Sequence, residues 1–177
     1  MKLSQFSDTT LPSIQIKIKY GLWLLISNYI FLTNIPFPNS IKVFILKLFG
    51  AKIGKNIVIK PFVKIKFPWL LEMKDYVWLG ENVWIDNLSF VSIGSNVCIS
   101  QNSIILTGNH NYKIDSFDLI TKPIIIEDEV WVGANCFITN GITLRKKSVI
   151  LVSTTIVQST EECGIYKGNP AVKIKNR

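Results

Sequence analysis

The sequence predicts an all-β fold, a parallel β-solenoid built from hexapeptides, on three observations. Aliphatic residues recur every six positions in two blocks, which begin at Ile53 and Ile126. The residue four positions after each of them is often small or β-branched. A period of six fits neither a helix of 3.6 residues per turn nor simple strand alternation, so it indicates short strands joined by turns, three to a coil.

The two blocks share this period but differ in regularity. The first runs by sixes from Ile53 to Leu71, slips by two residues to Leu79, and slips by two again to Ile93 before it ends at Ile105. The second is unbroken and consists of Ile126, Val132, Ile138, Leu144, Ile150 and Ile156. Together they make about fourteen hexapeptides, close to five coils of a solenoid.

Two further positions of the hexapeptide are restricted in residue type, one to small or β-branched residues and the other to glycine. The fourth position after the aliphatic residue holds Val63, Val83, Ser89, Val97, Ser103, Val130, Cys136, Ser148 and Thr154, and Trp69, Asp75 and Asn109 are exceptions. The position directly after the aliphatic residue holds Gly54, Gly80, Gly94 and Gly133. We expect a turn there that needs the unusual backbone angles open to glycine.

The first fifty residues lack the repeat and predict two helices that cap the first coil. Residues 21–32 are strongly apolar, but twelve residues are short of the about 20 that cross a bilayer. Pro36 and Pro38 follow this run, Ser40 can cap a second helix, and Gly50 ends it. Such helices would protect the open edge of the first coil.

An interfacial membrane contact by residues 17–33 is the alternative for this segment. Lys17 and Lys19 lie beside Trp23 and Tyr29, a combination that suits a lipid surface and a lipid-linked acceptor. The chain is thus divided into a helical cap (1–50), a solenoid (51–158) with a loop at 107–123, and a C-terminal tail (159–177).

The net charge and the cysteine content limit the kinds of partner and the cellular compartment that we expect. The formal net charge of +8 suits an anionic partner such as nucleic acid, an anionic membrane or a phosphate-rich cofactor. No recognition motif supports nucleic-acid binding, which is not expected. Three cysteines without CxxC spacing predict neither a disulfide framework nor a zinc knuckle, and they fit a reducing compartment.

Several segments resemble the left-handed β-helix hexapeptide-repeat acyltransferases, and most closely the colanic-acid-type acetyltransferases of exopolysaccharide biosynthesis. The residues that carry the resemblance are "IGKNIV", "LGENVW", "IGSNVC", "VGANCF", "LTGNHNYK", "FDLITKPIIIEDEVWVGA" and "GIYKGNPAVKIK". The resemblance implies a left-handed coil, a homotrimer, acetyl-coenzyme A as cosubstrate and a sugar or lipid-linked oligosaccharide as acceptor. The cysteine usage favours a cytoplasmic location, and contact with the inner face of the membrane is an open alternative.

His110 is the one histidine of the chain and lies where the register skips from Ile105 to Ile126. In the family that it resembles, the histidine of such a loop is the general base in a cleft between two subunits. Imidazole suits this chemistry because it can accept the proton of an attacking hydroxyl near neutral pH. A carboxylate could hold the other ring nitrogen of the imidazole, and the sequence does not choose among the candidates, which are Asp86, Asp115, Asp118, Glu127 and Asp128.

The acceptor pocket is expected around the same segment. Asp86 and Asn87 follow an inward position about one coil before His110, and Asn109 and Tyr112 flank His110 itself. Asn87 or a backbone N–H could also stabilise the oxyanion of the tetrahedral intermediate.

Acetyl-coenzyme A is expected along the C-terminal coils. By resemblance, Trp131 packs on the pantetheine arm, and the backbone of Gly133 and Ala134 bonds its amides. Val152 lies where the cofactor approaches, and Lys173, Lys175 and Arg177 are candidates for its phosphates. The last coil departs from the family pattern, since Arg145 and Leu151 stand where glycines are usual.

The sequence thus predicts an acetyl-coenzyme A-dependent O-acetyltransferase acting on a sugar hydroxyl. N-acetylation of an amino sugar, acetylation of serine and a non-catalytic trimeric scaffold are the alternatives. No metal is expected, because a catalytic zinc usually has three protein ligands and the chain has a single histidine.

Overall fold

The computed structural model describes residues 2–7, 10–11 and 13–177. Two α-helices, α1 (Ile14–Ile30) and α2 (Asn39–Leu48), precede the solenoid, and 3₁₀ turns cover Leu3–Gln5 and Pro68–Leu70. The strands are β1 (Lys52–Ile53), β2 (Val58–Ile59), β3 (Lys64–Ile65), β4 (Leu71–Met73), β5 (Trp78–Leu79), β6 (Trp84–Asp86), β7 (Val91–Ile93), β8 (Cys98–Ile99), β9 (Ile104–Leu106), β10 (Gly108–His110), β11 (Leu119–Thr121), β12 (Ile124–Ile126), β13 (Trp131–Val132), β14 (Phe137–Ile138), β15 (Thr143–Leu144), β16 (Val149–Ile150), β17 (Thr155–Ile156), β18 (Gly164–Lys167) and β19 (Val172–Asn176).

The strands form three sheets along the solenoid, which confirms the predicted β-helix. The first sheet is β1-β4-β7-β12-β15, the second is β2-β5-β8-β13-β16-β18-β19, and the third is β3-β6-β9-β14-β17. Successive coils pair in parallel, whereas β18 and β19 at the end of the second sheet are antiparallel. The inward aliphatic residues of successive coils stack on one another and form one buried core.

One step of the predicted register was wrong. Met73, rather than Leu71, pairs with Ile53 below and with Ile93 above. The two extra residues therefore lie before β4, in the segment that contains the 3₁₀ turn at Pro68–Leu70. Leu71 is also buried, so a count by sixes could not separate the two residues. With Met73 in register, the fourth position is Val77 and the exception at Asp75 disappears.

The predicted reason for the glycines was also wrong. Gly54, Gly80, Gly94 and Gly133 do not have a positive φ. A Cβ at Gly80 would lie 2.6 Å from the backbone nitrogen of Gln101, so glycine is needed here because the next coil approaches closely. Most turns instead have the left-handed residue two positions later, where asparagine is frequent: Asn56, Asn82, Asn96, Asn102 and Asn135.

The helices cover the open edge of the first coil, as predicted. The indole N–H of Trp23 donates to the carbonyl of Ile65 at 2.8 Å. The ammonium of Lys42 donates to the carbonyl of Ile59 at 2.8 Å, and the amide of Ile59 donates to Oδ1 of Asn39 at 2.9 Å. Burial lowers the pKa of Lys42, and the nearby Lys60 lowers it further.

Two details of the cap differ from expectation. Helix α2 begins at Asn39 with Pro38 at its N-cap, so Ser40 lies inside the helix and does not cap it. Trp23, which the alternative of membrane contact would place in the lipid interface, is 1% exposed and packs against Phe31 and Phe49. No helix among the residues that the structure describes is long and apolar enough to cross a membrane.

Candidate active site

The segment that contains His110 leaves the solenoid as a β-hairpin. β10 and β11 pair antiparallel, and His110 lies opposite Leu119. The base of the hairpin is fixed to the coil below, because the hydroxyl of Thr107 donates to the Asp86 carbonyl at 3.0 Å and accepts from the Ser89 amide at 3.0 Å. The predicted loop excursion is confirmed.

A backbone carbonyl holds the imidazole of His110. Nδ1 lies 2.8 Å from the carbonyl oxygen of Phe117, and the two rings stack with centroids 4.2 Å apart. A carbonyl oxygen can only accept a hydrogen bond, so Nδ1 carries the proton in the neutral ring. The lone pair is then on Nε2, which is the nitrogen that can act as a base.

Phe117 is therefore the residue that orients His110. Its φ of 52° lies in the left-handed region, which is unusual for a bulky residue. Four of the five candidate carboxylates have other partners, and among them the Asp128 carboxylate accepts from the Ser95 amide at 2.8 Å. Asp86 pairs with Lys66, Asp115 with Lys2, and Glu127 with Arg145.

An N-terminal segment covers one side of the imidazole. The edge of the Phe6 ring meets the His110 ring at a centroid distance of 5.4 Å. Lys2 anchors this segment to the hairpin, since its amide donates to the Asp115 carbonyl at 2.7 Å and its ammonium lies 3.3 Å from the Asp115 carboxylate. Phe6 and Phe117 therefore restrict the rotation of the imidazole from two sides.

Asp86 lies in a cavity of about 250 Å³ between α1 and the third sheet. Tyr20, Asn28, Lys66 and Trp84 also line this cavity. Lys66 Nζ is 3.1 Å from Asp86 Oδ1, but that buried oxygen lacks an aligned hydrogen bond. Oδ1 has almost no exposed surface, so its partner is the Lys66 ammonium, and the Asp86 side chain as a whole is 11% exposed. His110 is not among the residues that line it.

The other predicted acceptor residues lie in different surroundings. Asn87 is fully buried, and its side-chain amide accepts from the amide of Phe67 at 3.0 Å and donates to the Phe67 carbonyl at 2.7 Å. This corrects the expectation of a substrate or oxyanion contact, because the amide joins two coils and does not face solvent. Asn109 is exposed and accepts from the His110 amide at 2.8 Å, and Tyr112 is largely exposed.

Three residues expected at the cofactor lie together on the outer face of the second sheet. Trp131 is half exposed, and its indole N–H donates to the Ser100 hydroxyl at 3.0 Å. It lines a groove together with Lys175 and Arg177, and the apolar lining consists of Val149, Leu151, Ile165 and Ile174. The sequence did not predict these apolar residues, since only the β18–β19 pairing brings Ile174 to the groove.

The remaining cofactor candidates do not join this groove. The Gly133 amide donates to the Ile150 carbonyl, and the Gly133 carbonyl accepts from the Ser103 hydroxyl, so both backbone groups of Gly133 bond to neighbouring coils. The Ala134 carbonyl accepts from the Ser153 amide. Val152 is exposed but is not a lining residue.

Lys173 is separate from Lys175. Its ammonium donates to the Glu161 carboxylate at 2.7 Å, and this hydrogen bond raises the pKa of Lys173. It lines a different cavity, together with Tyr166 and Gln158. Among the residues that the structure describes, no group of three or more His, Cys, Asp and Glu side chains could hold a metal ion.

Comparison with known proteins gives the family. The chain is 36% identical over 160 residues to the colanic acid biosynthesis acetyltransferase WcaF of Escherichia coli strain K12, covering 90% of this chain and 88% of that protein. The chain belongs to the hexapeptide-repeat acyltransferase family. A model described as the hexapeptide repeat of succinyl-transferase matches residues 123–151. The predictions of this family and of an acyltransferase enzyme are therefore confirmed.

Solved structures of the family share the fold. The hexapeptide-repeat acetyltransferase VCA0836 of Vibrio cholerae in complex with acetyl-coenzyme A superposes with a TM-score of 0.81 at 20% identity, covering 93% of this chain and 90% of that chain. A galactoside acetyltransferase in complex with coenzyme A gives a TM-score of 0.78 at 19% identity, covering 99% and 91%.

Proposed function

We propose that the protein is an acetyl-coenzyme A-dependent O-acetyltransferase that acts on a sugar hydroxyl of a bacterial polysaccharide or its lipid-linked precursor. The observation that carries this proposal is the His110 imidazole, whose Nδ1 is held by Phe117 and whose Nε2 is left to act as a base. The sequence similarity to WcaF, which is described as an acetyltransferase of colanic acid biosynthesis, supports a polysaccharide as the class of acceptor.

The proposed reaction is a direct transfer. Nε2 of His110 accepts the proton of the acceptor hydroxyl as its oxygen attacks the thioester carbonyl. The tetrahedral intermediate collapses, the carbon–sulfur bond breaks, and the coenzyme A thiolate takes the proton from the imidazolium. The Phe117 carbonyl stabilises the imidazolium because it accepts a hydrogen bond from Nδ1–H throughout the reaction.

The acceptor is proposed to use Asp86 and the exposed hairpin residues. Asp86 lines the cavity at α1 beside Lys66, and its carboxylate and this ammonium are the polar groups proposed to meet sugar hydroxyls there. Asn109 and Tyr112 are exposed on the same hairpin as His110 and remain candidates for further contacts. Asn87 is not retained, so a backbone N–H is the proposed oxyanion donor.

The groove at Trp131 is proposed to bind acetyl-coenzyme A. Its apolar lining suits the pantetheine arm, and Lys175 and Arg177 suit phosphate groups. Structural neighbours solved with acetyl-coenzyme A and coenzyme A support this cosubstrate.

A homotrimer is proposed as the working assembly, with His110 facing a cleft between two subunits. The third sheet supports this proposal because it presents Trp84 and Phe137, both partly exposed, on its outer face. The free cysteines fit a cytoplasmic, reducing location.

Turnover of acetyl-coenzyme A over a panel of sugars and oligosaccharides tests the function. We expect thiol release that depends on the acceptor, and a product whose NMR spectrum shows an O-acetyl ester. An amide product would assign an N-acetyltransferase instead. Absence of coenzyme A binding by calorimetry would favour the non-catalytic scaffold.

Trp131→Ala tests the cofactor groove. We expect the KM for acetyl-coenzyme A to rise about tenfold, with kcat changed much less, because an aromatic wall of the groove is removed. Trp78→Ala is the matched control, since Trp78 lies in the same outward row two coils away and is similarly exposed. Equal KM values in the two variants would place the cofactor elsewhere.

A further inference from the structure

Helix α1 presents an apolar stripe to solvent. Its most exposed apolar side chains lie on one face of the helix at intervals of three and four residues: Ile14, Ile18, Leu22, Leu25 and Tyr29. Each is more than half exposed. The opposite face, with Trp23 and Ser27, packs on the first coil, so the stripe is not needed for the cap. Exposed stripes of this length mark a binding surface.

Helix α2 repeats the arrangement. Lys42 and Leu46 are buried against the solenoid, whereas Ile41, Phe44 and Leu48 are exposed at the same spacing. Both capping helices therefore hold the solenoid with one face and present large apolar side chains on another. We name these eight exposed side chains the cap surface: Ile14, Ile18, Leu22, Leu25, Tyr29, Ile41, Phe44 and Leu48.

The charge of the chain is concentrated at the same end. Residues 1–71 contain ten lysines and one acidic residue, Asp8, whereas residues 72–177 contain ten basic and eleven acidic residues. The two parts have net charges of +9 and −1, which account for the total of +8. Lys2 is bound at the hairpin, and the other nine lysines belong to the helices and the first coil, including the exposed Lys17 and Lys47.

We propose that the cap surface docks on an anionic lipid membrane, with its apolar side chains in the interface and the surrounding lysines on the lipid headgroups. A nucleic acid would explain the lysines but not eight exposed apolar side chains. A second copy of the same surface would explain the apolar residues but would bring two strongly positive ends together. A lipid surface with negative headgroups satisfies both features.

This inference goes beyond the proposed transfer reaction and does not depend on it. Docking would hold the enzyme where a lipid-linked sugar is available, since such an acceptor is confined to the membrane. The interaction is peripheral, because the stripes lie along the helices and not around them.

Vesicle flotation tests the proposal. We expect the protein to bind vesicles of phosphatidylcholine and phosphatidylglycerol at least tenfold more tightly than vesicles of phosphatidylcholine alone, and to lose binding as salt rises. Leu22→Gln with Leu25→Gln should weaken binding at least tenfold, because two apolar side chains no longer enter the interface. Lys17→Gln with Lys47→Gln should weaken it only on anionic vesicles, by about fivefold for each lysine.

The matched control is Val157→Gln with Val172→Gln, two exposed apolar residues at the C-terminal end of the solenoid. This control should bind as the wild type does. Equal binding by the leucine variant and the control, or no preference of the wild type for anionic vesicles, would overturn the proposal.

Two more measurements distinguish membrane docking from self-association and from a role in catalysis. Sedimentation must give the same oligomeric mass for the leucine variant and the wild type, and a lower mass would assign the cap surface to contacts between copies of the chain. Transfer to a soluble acceptor should be unchanged in the leucine variant. If His110→Ala loses acetyl transfer but still binds vesicles, the transfer reaction and membrane docking are independent of each other.

Discussion

His110→Ala is expected to lower kcat for acetyl transfer by about 10²–10⁴-fold, the usual contribution of a general base. The KM for acetyl-coenzyme A should change little, because the proposed cofactor groove at Trp131 does not include His110. Thiol release at saturating cosubstrate, with the best acceptor of the panel, measures the effect. Lys113→Gln, an exposed substitution in the same hairpin, is the control and should retain full activity.

His110→Asn separates the base from a structural role of the ring. The amide nitrogen of asparagine can take the place of Nδ1 and donate to the Phe117 carbonyl, but asparagine has no group that can act in place of Nε2. We expect this variant to be as inactive as His110→Ala and to unfold closer to the wild-type temperature. Activity within tenfold of the wild type in either variant would exclude His110 as the base.

The solenoid could be predicted because its signal is carried by side chains. Each inward position must be aliphatic to stack on the next coil, so the period of six is visible in the sequence, and the loop at His110 appears as a gap in it. The sequence could not decide whether Leu71 or Met73 stacks on Ile53, since both side chains are apolar and both are buried. Only the pairing of strands distinguishes them.

The site was less predictable because much of it is backbone. The partner of His110 is a main-chain carbonyl at Phe117, a residue with positive φ. The direction of a carbonyl group cannot be read from the type of side chain that the residue carries. The same limit applies to Gly133, whose amide and carbonyl are taken by neighbouring coils. Trp131 was expected at the cofactor from the family resemblance and Lys175 from the affinity of lysine for phosphate, and both side chains line one groove.

Gly80→Ala is expected to destabilise the protein by about 1–3 kcal/mol, the usual cost of overpacking. The added Cβ would lie 2.6 Å from the Gln101 nitrogen and 2.9 Å from the Ser100 carbonyl carbon. Both contacts are backbone atoms of the next coil, so no side-chain rotation can relieve them. The coils must separate, which weakens the 2.8 Å hydrogen bond from the Gly80 amide to the Ile99 carbonyl.

Gly21→Ala is the matched control because a Cβ there meets no atom within 4 Å and Gly21 lies inside helix α1. Alanine should stabilise the helix by about 1 kcal/mol at this position. Urea unfolding of both variants, at one protein concentration because oligomerisation shifts apparent stability, gives the two changes in free energy. Opposite signs are the expected result. A stable Gly80→Ala would mean that the coils can separate without cost, and the close approach of backbones could then not be the reason for glycine in the hexapeptide.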